Sequence, residues 1–117
     1  MIVIGEKLNS SIPSVYAAIE KKDSRFVSDL AVKQEEAGAH FLDINAGMFV
    51  EAEEENLRWL MNTVQAVSKL PLVIDTPDPS VALALAKEYR GEKPVINSVT
   101  LEENRFAPMV EAAKTCG

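Results

Sequence analysis

Four apolar runs in this chain each end at a carboxylate or a carboxamide. If each run is a buried parallel strand followed by a helix, the polar last residues meet on one shared face. Acceptors and amides gathered there suit a flat, nitrogen-rich, hydrogen-bonding ligand. The candidate residues are Glu6 and Asn9 after Ile2-Val3-Ile4, Asp43 and Asn45 after Phe41-Leu42, Asp75 after Leu72-Val73-Ile74, and Asn97 after Pro94-Val95-Ile96.

Asp75 and Asn97 are the strongest of these candidates. A carboxylate at a strand end can accept two parallel hydrogen bonds from adjacent N–H groups, as on an amidine-like ring edge. A carboxamide offers a donor and an acceptor together, which suits the mixed edge of a heterocycle. The alternative for Asp75 is a cap on the following turn, and the alternative for Asn97 is a hydrogen bond to its local backbone.

The other four candidates lie on the first two units. Asp43 and Asn45 are two residues apart in a strand, so their side chains point to the same face, which favours a binding site over a cap. Glu6 and Asn9 are predicted on the first loop, where Glu6 could equally bond backbone amides.

Other reactive residue types give weaker signals. His40 precedes the second strand, at the end of a barrel opposite to catalysis, and is predicted to be structural or on the surface. There is no second histidine, so the spacing of a His/Cys metal site is absent. Cys116 has no base nearby in sequence and is predicted to be a bystander thiol. Gly5 and Gly47 adjoin strand ends, where a ligand could approach the backbone closely.

The composition indicates one globular domain. The chain has 117 residues, of which 47% are hydrophobic, and a net charge of −6 that argues against nucleic acid as the main partner. No apolar run approaches the ~20 residues of a membrane-spanning helix, and the start does not resemble a signal peptide, so no membrane partner is expected. A single cysteine allows no internal disulfide, which fits a cytoplasmic location.

The segments between the apolar runs are predicted to be helices. Pro13 suits a first helical turn, Asp23 or Ser24 can cap a second helix, and Gly38 can end it. Residues 53–68 form the clearest amphipathic pattern, with an acidic start predicted to be a solvated first turn. Asp78-Pro79 should open a helix that continues to about Arg90. A capping box at residues 100–103 and a helix over 107–115 are predicted after the fourth strand.

Four strand-then-helix units make half of an eight-fold α/β barrel. Such a half leaves two unpaired sheet edges and an open barrel interior, both of which favour association. The chain is therefore expected to be the N-terminal part of a longer protein or to pair with another chain, as a homo-oligomer or with a second barrel half. A small open sheet of flavodoxin type, with helices on both faces, is the structural alternative.

The order of these motifs resembles the pterin-binding methyltransferases. The resemblance runs through residues 1–117, which would form a pterin-binding (βα)₄ half-barrel, the N-terminal half of a (β/α)₈ TIM barrel. Similar relatives are the methyltetrahydrofolate:corrinoid/iron-sulfur protein methyltransferase and the folate domain of cobalamin-dependent methionine synthase. The segments that carry the resemblance are Val3-Ile4-Gly5-Glu6-Lys7-Leu8-Asn9, Gln34-Glu35-Glu36-Ala37-Gly38-Ala39, Leu42-Asp43-Ile44-Asn45-Ala46-Gly47, Leu72-Val73-Ile74-Asp75-Thr76 and Val95-Ile96-Asn97-Ser98.

The resemblance implies transfer of the N5-methyl group of methyltetrahydrofolate to the cobalt of a corrinoid (cobalamin) carried by a partner protein. It implies that Asp75 and Asn97 bind the pterin ring, and by position it places Glu6, Asn9, Asp43 and Asn45 in or near that pocket. The family also uses an Asp and an Asn from the second half of the barrel, which this chain does not supply. The catalytic group at N5 is therefore not assigned.

Two other functions remain open from the sequence. Dihydropteroate synthase shares the fold and the Asp and Asn strand ends, but its typical first and second loops differ from Gly-Glu-Lys-Leu-Asn and Asp-Ile-Asn-Ala-Gly here. It therefore ranks second. A non-catalytic half-barrel module whose open edges recruit a partner chain is the third possibility.

Overall fold

The protein alternates strands and helices along the chain. In a computed structural model, residues 1–91 and 94–97 are described. No helix in those ranges is long and apolar enough to cross a membrane. The elements in order are β1 (Ile4–Asn9), α1 (Pro13–Lys21), α2 (Ser24–Glu36), β2 (Phe41–Asn45), a 3₁₀ turn (Val50–Ala52), α3 (Glu53–Gln65), β3 (Leu72–Asp75), α4 (Pro79–Glu88) and β4 (Val95–Asn97).

The strands form one parallel sheet in the order β1-β2-β3-β4. Right-handed crossovers that always step in the same direction put every helix on the same face. A flavodoxin-type sheet needs a reversal of strand order to place helices on both faces, so that alternative is wrong. The predicted fold is confirmed: the four units have the arrangement of the N-terminal half of a TIM barrel.

The hydrophobic core lies between the sheet and its helices. Leu42 and Ile44 of β2, with Leu72 and Ile74 of β3, are fully buried in one cluster with residues from all four helices. The alternate strand residues therefore point to the opposite, inner face of the sheet. This alternation lets the core hold the strands while the inner face remains available for polar side chains.

The helix starts follow the predicted capping chemistry. Asp23 accepts a hydrogen bond from the Phe26 amide at the start of α2, and Asp78 accepts one from the Ser80 amide at the start of α4. Gly38 has a φ of 102°, which suits glycine just after the end of α2. Helix α3 ends at Gln65 and α4 at Glu88, a few residues earlier than predicted.

Two further predictions concern the chain after β4. The capping box at residues 100–103 and the helix over 107–115 lie outside the described residues, as does Cys116. His40 is exposed at the start of β2, where its Nδ1 accepts a hydrogen bond from the Val3 amide. It is structural, as predicted.

Strand β1 begins and ends later than the sequence indicates. Glu6 and Asn9 belong to the strand and not to the following loop, because pairing with β2 resumes after an irregularity between Gly5 and Leu8. Opposite this bulge, the side-chain oxygen of Gln34 accepts a hydrogen bond from the Lys7 amide at 3.1 Å. A helix side chain thus replaces the strand partner that a bulged residue loses.

Gly5 adjoins this bulge for a packing reason. A Cβ at position 5 would lie 2.5 Å from Oε1 of Gln34 and 3.1 Å from Leu42. The absent side chain makes room for α2 against β1. Packing against Gln34 therefore accounts for Gly5, and the close approach of a ligand there stays a prediction.

Candidate functional site

A row of polar side chains crosses the sheet where its strands end. Asn9 pairs with Asn45, Asn45 with Asp75, and Asp75 with Asn97 as Cα partners of neighbouring strands. All four strands thus contribute one residue to the same level of the inner face. Neighbouring strands lie about 4.8 Å apart, so side chains of adjacent members can reach each other. The register of the sheet therefore brings Asn9, Asn45, Asp75 and Asn97 together, as the sequence predicts.

Asp43 lies one layer below this row, toward the strand starts. Asp43 is the Cα partner of Val73 on β3. Val73 lies two residues before Asp75, so Val73 and Asp75 both point to the inner face. Asp43 is 6% exposed and Asp75 is 7% exposed, so both carboxyl groups are nearly removed from solvent. Glu6 of β1 is exposed, but it is close enough for its charge to act on both carboxyls. Three acidic groups therefore gather on the inner face.

The two buried carboxyl groups share an unusual electrostatic environment. Burial raises the pKa of Asp43 to about 8, with further contributions from the charge of Asp75, a hydrogen bond to Asp75 and the charge of Glu6. Burial also raises the pKa of Asp75, although hydrogen bonds from Asp43 and Asn45 oppose that shift. Burial and mutual repulsion therefore favour one proton held by this pair of carboxyl groups at neutral pH.

One oxygen of Asp75 has no donor. Oδ1 is buried, and no N–H or O–H group of the described residues donates to it while both carboxyls are ionised. A buried acceptor of this kind normally has a partner, because an unmade hydrogen bond there costs about 1–3 kcal/mol. It identifies Asp75 as the point where an incoming donor would be held best.

Asn45 holds the surrounding loops in place. Its Oδ1 accepts hydrogen bonds from Ser10 Oγ at 3.1 Å and from the Gly47 amide at 2.9 Å. Its Nδ2 lies 3.5 Å from the backbone oxygen of Asp75. Ser10 Oγ in turn accepts from the Met48 amide, so one hydroxyl joins the loops after β1 and β2. Asn45 has a structural role that its position alone does not reveal.

The two ends of the row differ from its centre. Asn9 is half-buried and its Oδ1 accepts from the Ser11 amide at 2.8 Å, which is the local turn bond typical of asparagine. The side chain of Asn97 is exposed, whereas its backbone oxygen accepts from the Thr76 amide at 3.1 Å. The centre of the row is therefore fixed by its neighbours, while Asn97 presents its amide at the edge.

Behind the row, Thr76 and Glu53 form a contact that the sequence patterns did not predict. Thr76 is fully buried and donates from Oγ1 to Oε2 of Glu53 at 2.8 Å. Glu51, Glu54 and Glu55 are exposed as predicted, but Glu53 is buried, so the prediction of a fully solvated acidic turn is wrong. Helical spacing could have shown this, because Glu53 lies four residues before the core residue Leu57.

Stacked aromatic rings stabilise the same end of the sheet. The rings of Tyr16 on α1 and Phe49 after β2 have centroids 4.3 Å apart and are inclined by 4°. The loop that follows Asn45 is thus anchored both by hydrogen bonds and by ring contact.

A cleft among the described residues lies elsewhere. It has a volume of about 500 Å³ and is lined by residues near the start of β3, among them Lys69, Tyr89 and Arg90. The Tyr89 hydroxyl accepts from the Leu72 amide at 3.0 Å, which places this cleft at the amino ends of the strands. In parallel α/β barrels that end serves stability, so the cleft is not the candidate site. Among the described residues, no group of three or more His, Cys, Asp or Glu side chains is arranged to hold a metal ion.

The fold and the polar row define a parallel α/β protein with a candidate ligand site at the carboxyl ends of its strands. A family described as "Pterin binding enzyme" matches residues 5–117, and the chain belongs to that family. It is 47% identical over 107 residues to a methylcorrinoid:tetrahydrofolate methyltransferase of Eubacterium limosum, a match that covers 91% of this chain and 39% of that protein.

Methionine synthases are more distant relatives. The chain is 30% identical over 117 residues to the Mycobacterium leprae protein and 29% identical over 113 residues to the Mycobacterium tuberculosis protein. These matches cover 95% and 92% of this chain but only 10% and 9% of the relatives. The chain therefore spans well under half the length of each of these curated relatives.

Proposed function

We propose that this chain binds the pterin ring of a reduced folate on the polar row, as part of a methyltransferase. The observation that carries the proposal is the alignment of Asn9, Asn45, Asp75 and Asn97 at one level of the sheet. Membership of the pterin binding enzyme family supports a pterin as the flat, nitrogen-rich ligand of that row.

Asp75 is the main recognition residue in this proposal. Its buried carboxylate accepts from the ring N3–H and the 2-amino group, and these adjacent donors satisfy the oxygen that lacks one. The exposed amide of Asn97 holds the other edge of the ring. Asn45 and Asn9 keep the neighbouring loops in position, and Asp43 and Glu6 lie in the layer below.

The proposed reaction moves a methyl group between N5 of tetrahydrofolate and the cobalt of a corrinoid carried by a partner protein. From methyltetrahydrofolate, cobalt(I) supplies the electron pair for the new cobalt–carbon bond. N5 keeps the pair of the broken carbon–nitrogen bond and takes up a proton. The name of the Eubacterium limosum relative describes the opposite direction, from methylcorrinoid to tetrahydrofolate.

The contribution of this chain to that reaction is positioning. A fixed ring directs the methyl carbon toward the corrinoid. Holding two reactants in the correct orientation accounts for a large part of the rate enhancement in such transfers. A donor at N5 could add a few kcal/mol of transition-state stabilisation, as one oxyanion-type donor does. We assign none of residues 1–117 as the hydrogen-bond donor at N5.

We also propose that a second barrel half, from the same or another chain, covers the inner face. Ile4 on β1 and Val95 on β4 point to that face and are 43% and 37% exposed. Within the described residues, β1 and β4 each pair on one side only. Both features support completion of the barrel by further strands. Size-exclusion chromatography with light scattering and a hydrophobic dye tests it, since a dye-negative monomer of 117 residues would contradict the proposal.

Calorimetric titration of the intact protein with tetrahydrofolate and methyltetrahydrofolate tests the ligand. Absorbance assays with cob(I)alamin and methylcobalamin test the reaction in both directions. Absence of folate binding would reject the pterin proposal as a whole. Folate binding without methyl transfer in either direction would retain the pterin site and reject the methyltransferase.

A further inference from the structure

Asp43 and Asp75 are two buried carboxyl groups, and neither forms an ion pair with a cation of residues 1–91 or 94–97. They lie on the inner face of neighbouring strands, one layer apart, and both are more than nine-tenths buried. The ion pairs among the described residues are those of Arg58 with Glu54 and Glu88, remote from this face. Two adjacent ionised carboxylates in such surroundings repel each other strongly.

The groups around the pair do not relieve this repulsion. Glu6 from β1 adds a third negative charge, and the neighbours in the row, Asn9, Asn45 and Asn97, are neutral. Glu53 from α3 faces Thr76 on the other side of the strand. Two ionised carboxylates can only accept hydrogen bonds, whereas a protonated one can donate to the other.

We propose that Asp43 is a positioning residue that keeps its proton at neutral pH and donates it in a hydrogen bond to the Asp75 carboxylate. That bond fixes the orientation of Asp75 and leaves its other oxygen available for a ligand N–H. The identity of the ligand, a reduced pterin, rests on the proposed function. The shared proton does not, because it is argued from the burial and adjacency of the two carboxyl groups in the free protein.

The first test needs no ligand. Carbon-13 NMR of aspartate carboxyls in the intact, ligand-free protein should show one buried carboxyl that is still protonated at pH 7. This signal should disappear in Asp43→Asn and persist in Glu55→Gln, a matched change on the exposed first turn of α3. If every aspartate carboxyl is ionised at pH 7, the proposal is wrong.

The second test measures orientation through binding. Asp43→Ala removes the donor and should weaken tetrahydrofolate binding at pH 7 by about tenfold or more, as expected for a hydrogen bond to a charged group. Asp43→Asn keeps an N–H donor at the same position and should recover most of that loss. Near-ultraviolet circular dichroism of each variant checks that the fold is retained.

The pH profile separates positioning from a merely structural role. A bound ring removes further solvent from the pair and favours the protonated form, so wild-type affinity should fall as the pH rises above the pKa of Asp43. Asp43→Asn should lack this decline. Equal affinities of the Ala and Asn variants, or unchanged pH dependence in Asp43→Asn, would overturn the proposal. If no folate binds at any pH, the proposed function fails, while the NMR titration still decides whether the proton is shared.

Discussion

Asn45 and Asp75 are direct partners on neighbouring strands, and the amide nitrogen of Asn45 lies 3.5 Å from the backbone oxygen of Asp75. The same amide group accepts from Ser10 and Gly47, so it joins the ends of β1, β2 and β3. Asp75 is thus held by a neighbour whose own position is fixed. Asn45 therefore has a structural role in the row, and the ligand contact is proposed for Asp75.

Replacing Asp75 should weaken folate binding. Asp75→Ala in the intact protein removes the carboxylate proposed to accept two ring donors, and we expect a loss of ~1–3 kcal/mol in binding free energy. Calorimetric titration measures this loss. Asp29→Ala, an exposed carboxylate on α2, is the matched control and should bind normally. Unchanged affinity in Asp75→Ala would remove Asp75 from the site.

Replacing Asn45 should affect stability as well as binding. Asn45→Ala leaves Ser10 Oγ and the Gly47 amide without their acceptor, so the free energy of unfolding should fall by about 1–3 kcal/mol. Urea denaturation provides the measurement. Asn62→Ala on the exposed face of α3 should be neutral or slightly stabilising, because alanine favours helix. Equal effects of the two variants would argue against a bonding role for Asn45.

Gly5 and Gln34 should show strong energetic coupling. Gly5→Ala places a Cβ 2.5 Å from Gln34 Oε1 and should destabilise the protein by about 1–3 kcal/mol. In a Gln34→Ala background the added methyl has more room, so its effect should be smaller. Gly47→Ala is the control, because its added Cβ would approach no atom closer than 3.5 Å. Additive effects of Gly5→Ala and Gln34→Ala would show that the close contact is not what excludes a side chain.

Thr76 should be needed to accommodate the buried Glu53. Thr76→Val preserves the shape but removes the donor to Oε2, and the loss should be about 1–3 kcal/mol because Glu53 stays buried. Thermal or urea unfolding checks this value. Thr63→Val on α3 is the matched control, with an expected change within about 0.5 kcal/mol. A Thr76→Val protein as stable as the control would mean that Glu53 finds solvent or another donor.

The carboxyl pair should make stability depend on pH. The pKa of Asp43 is about 8 in the folded protein, above its ordinary value of 3.8. Between these two pH values, the folded state therefore binds more protons than the unfolded state. The contribution of the Asp43 proton to the free energy of unfolding is therefore complete below pH 3.8 and is lost as the pH rises through about 8. The slope attributable to one proton is at most about 1.4 kcal/mol per pH unit.

Comparison of wild type with Asp43→Asn isolates this contribution. The free energy of unfolding of the wild type, measured in urea at several pH values, should decline more steeply between pH 5 and 8 than that of the variant. Parallel curves would indicate that Asp43 titrates normally in the folded protein.

Local patterns were sufficient to predict much of the fold. Apolar runs separated by capped amphipathic segments gave the alternation of strands and helices, and Asp23 and Asp78 cap helices as expected. Period-two alternation correctly put Asp43 and Asn45 on the same face of β2. These features depend on neighbouring residues in the chain, so the sequence contains the information needed.

Features that depend on distant residues were not predicted. The bulge in β1 depends on Gln34, which lies 27 residues beyond Lys7. Ser10 joins loops separated by 38 residues through its bonds to Asn45 and Met48, and a serine after a strand carries no local signal of such a role. The proximity of Asp43 and Asp75 follows from the register between β2 and β3, which the apolar pattern alone does not fix.

The strand order has a consequence for how the chain assembles. Every pairing among the four described strands joins consecutive strands, so none of the four waits for a later one to be inserted between two others. A nascent chain emerging from the ribosome can therefore add each strand and helix to the edge already formed. Strand β4, the last of these four to dock, then completes the polar row with Asn97, so the row forms only after the preceding three strands are in place.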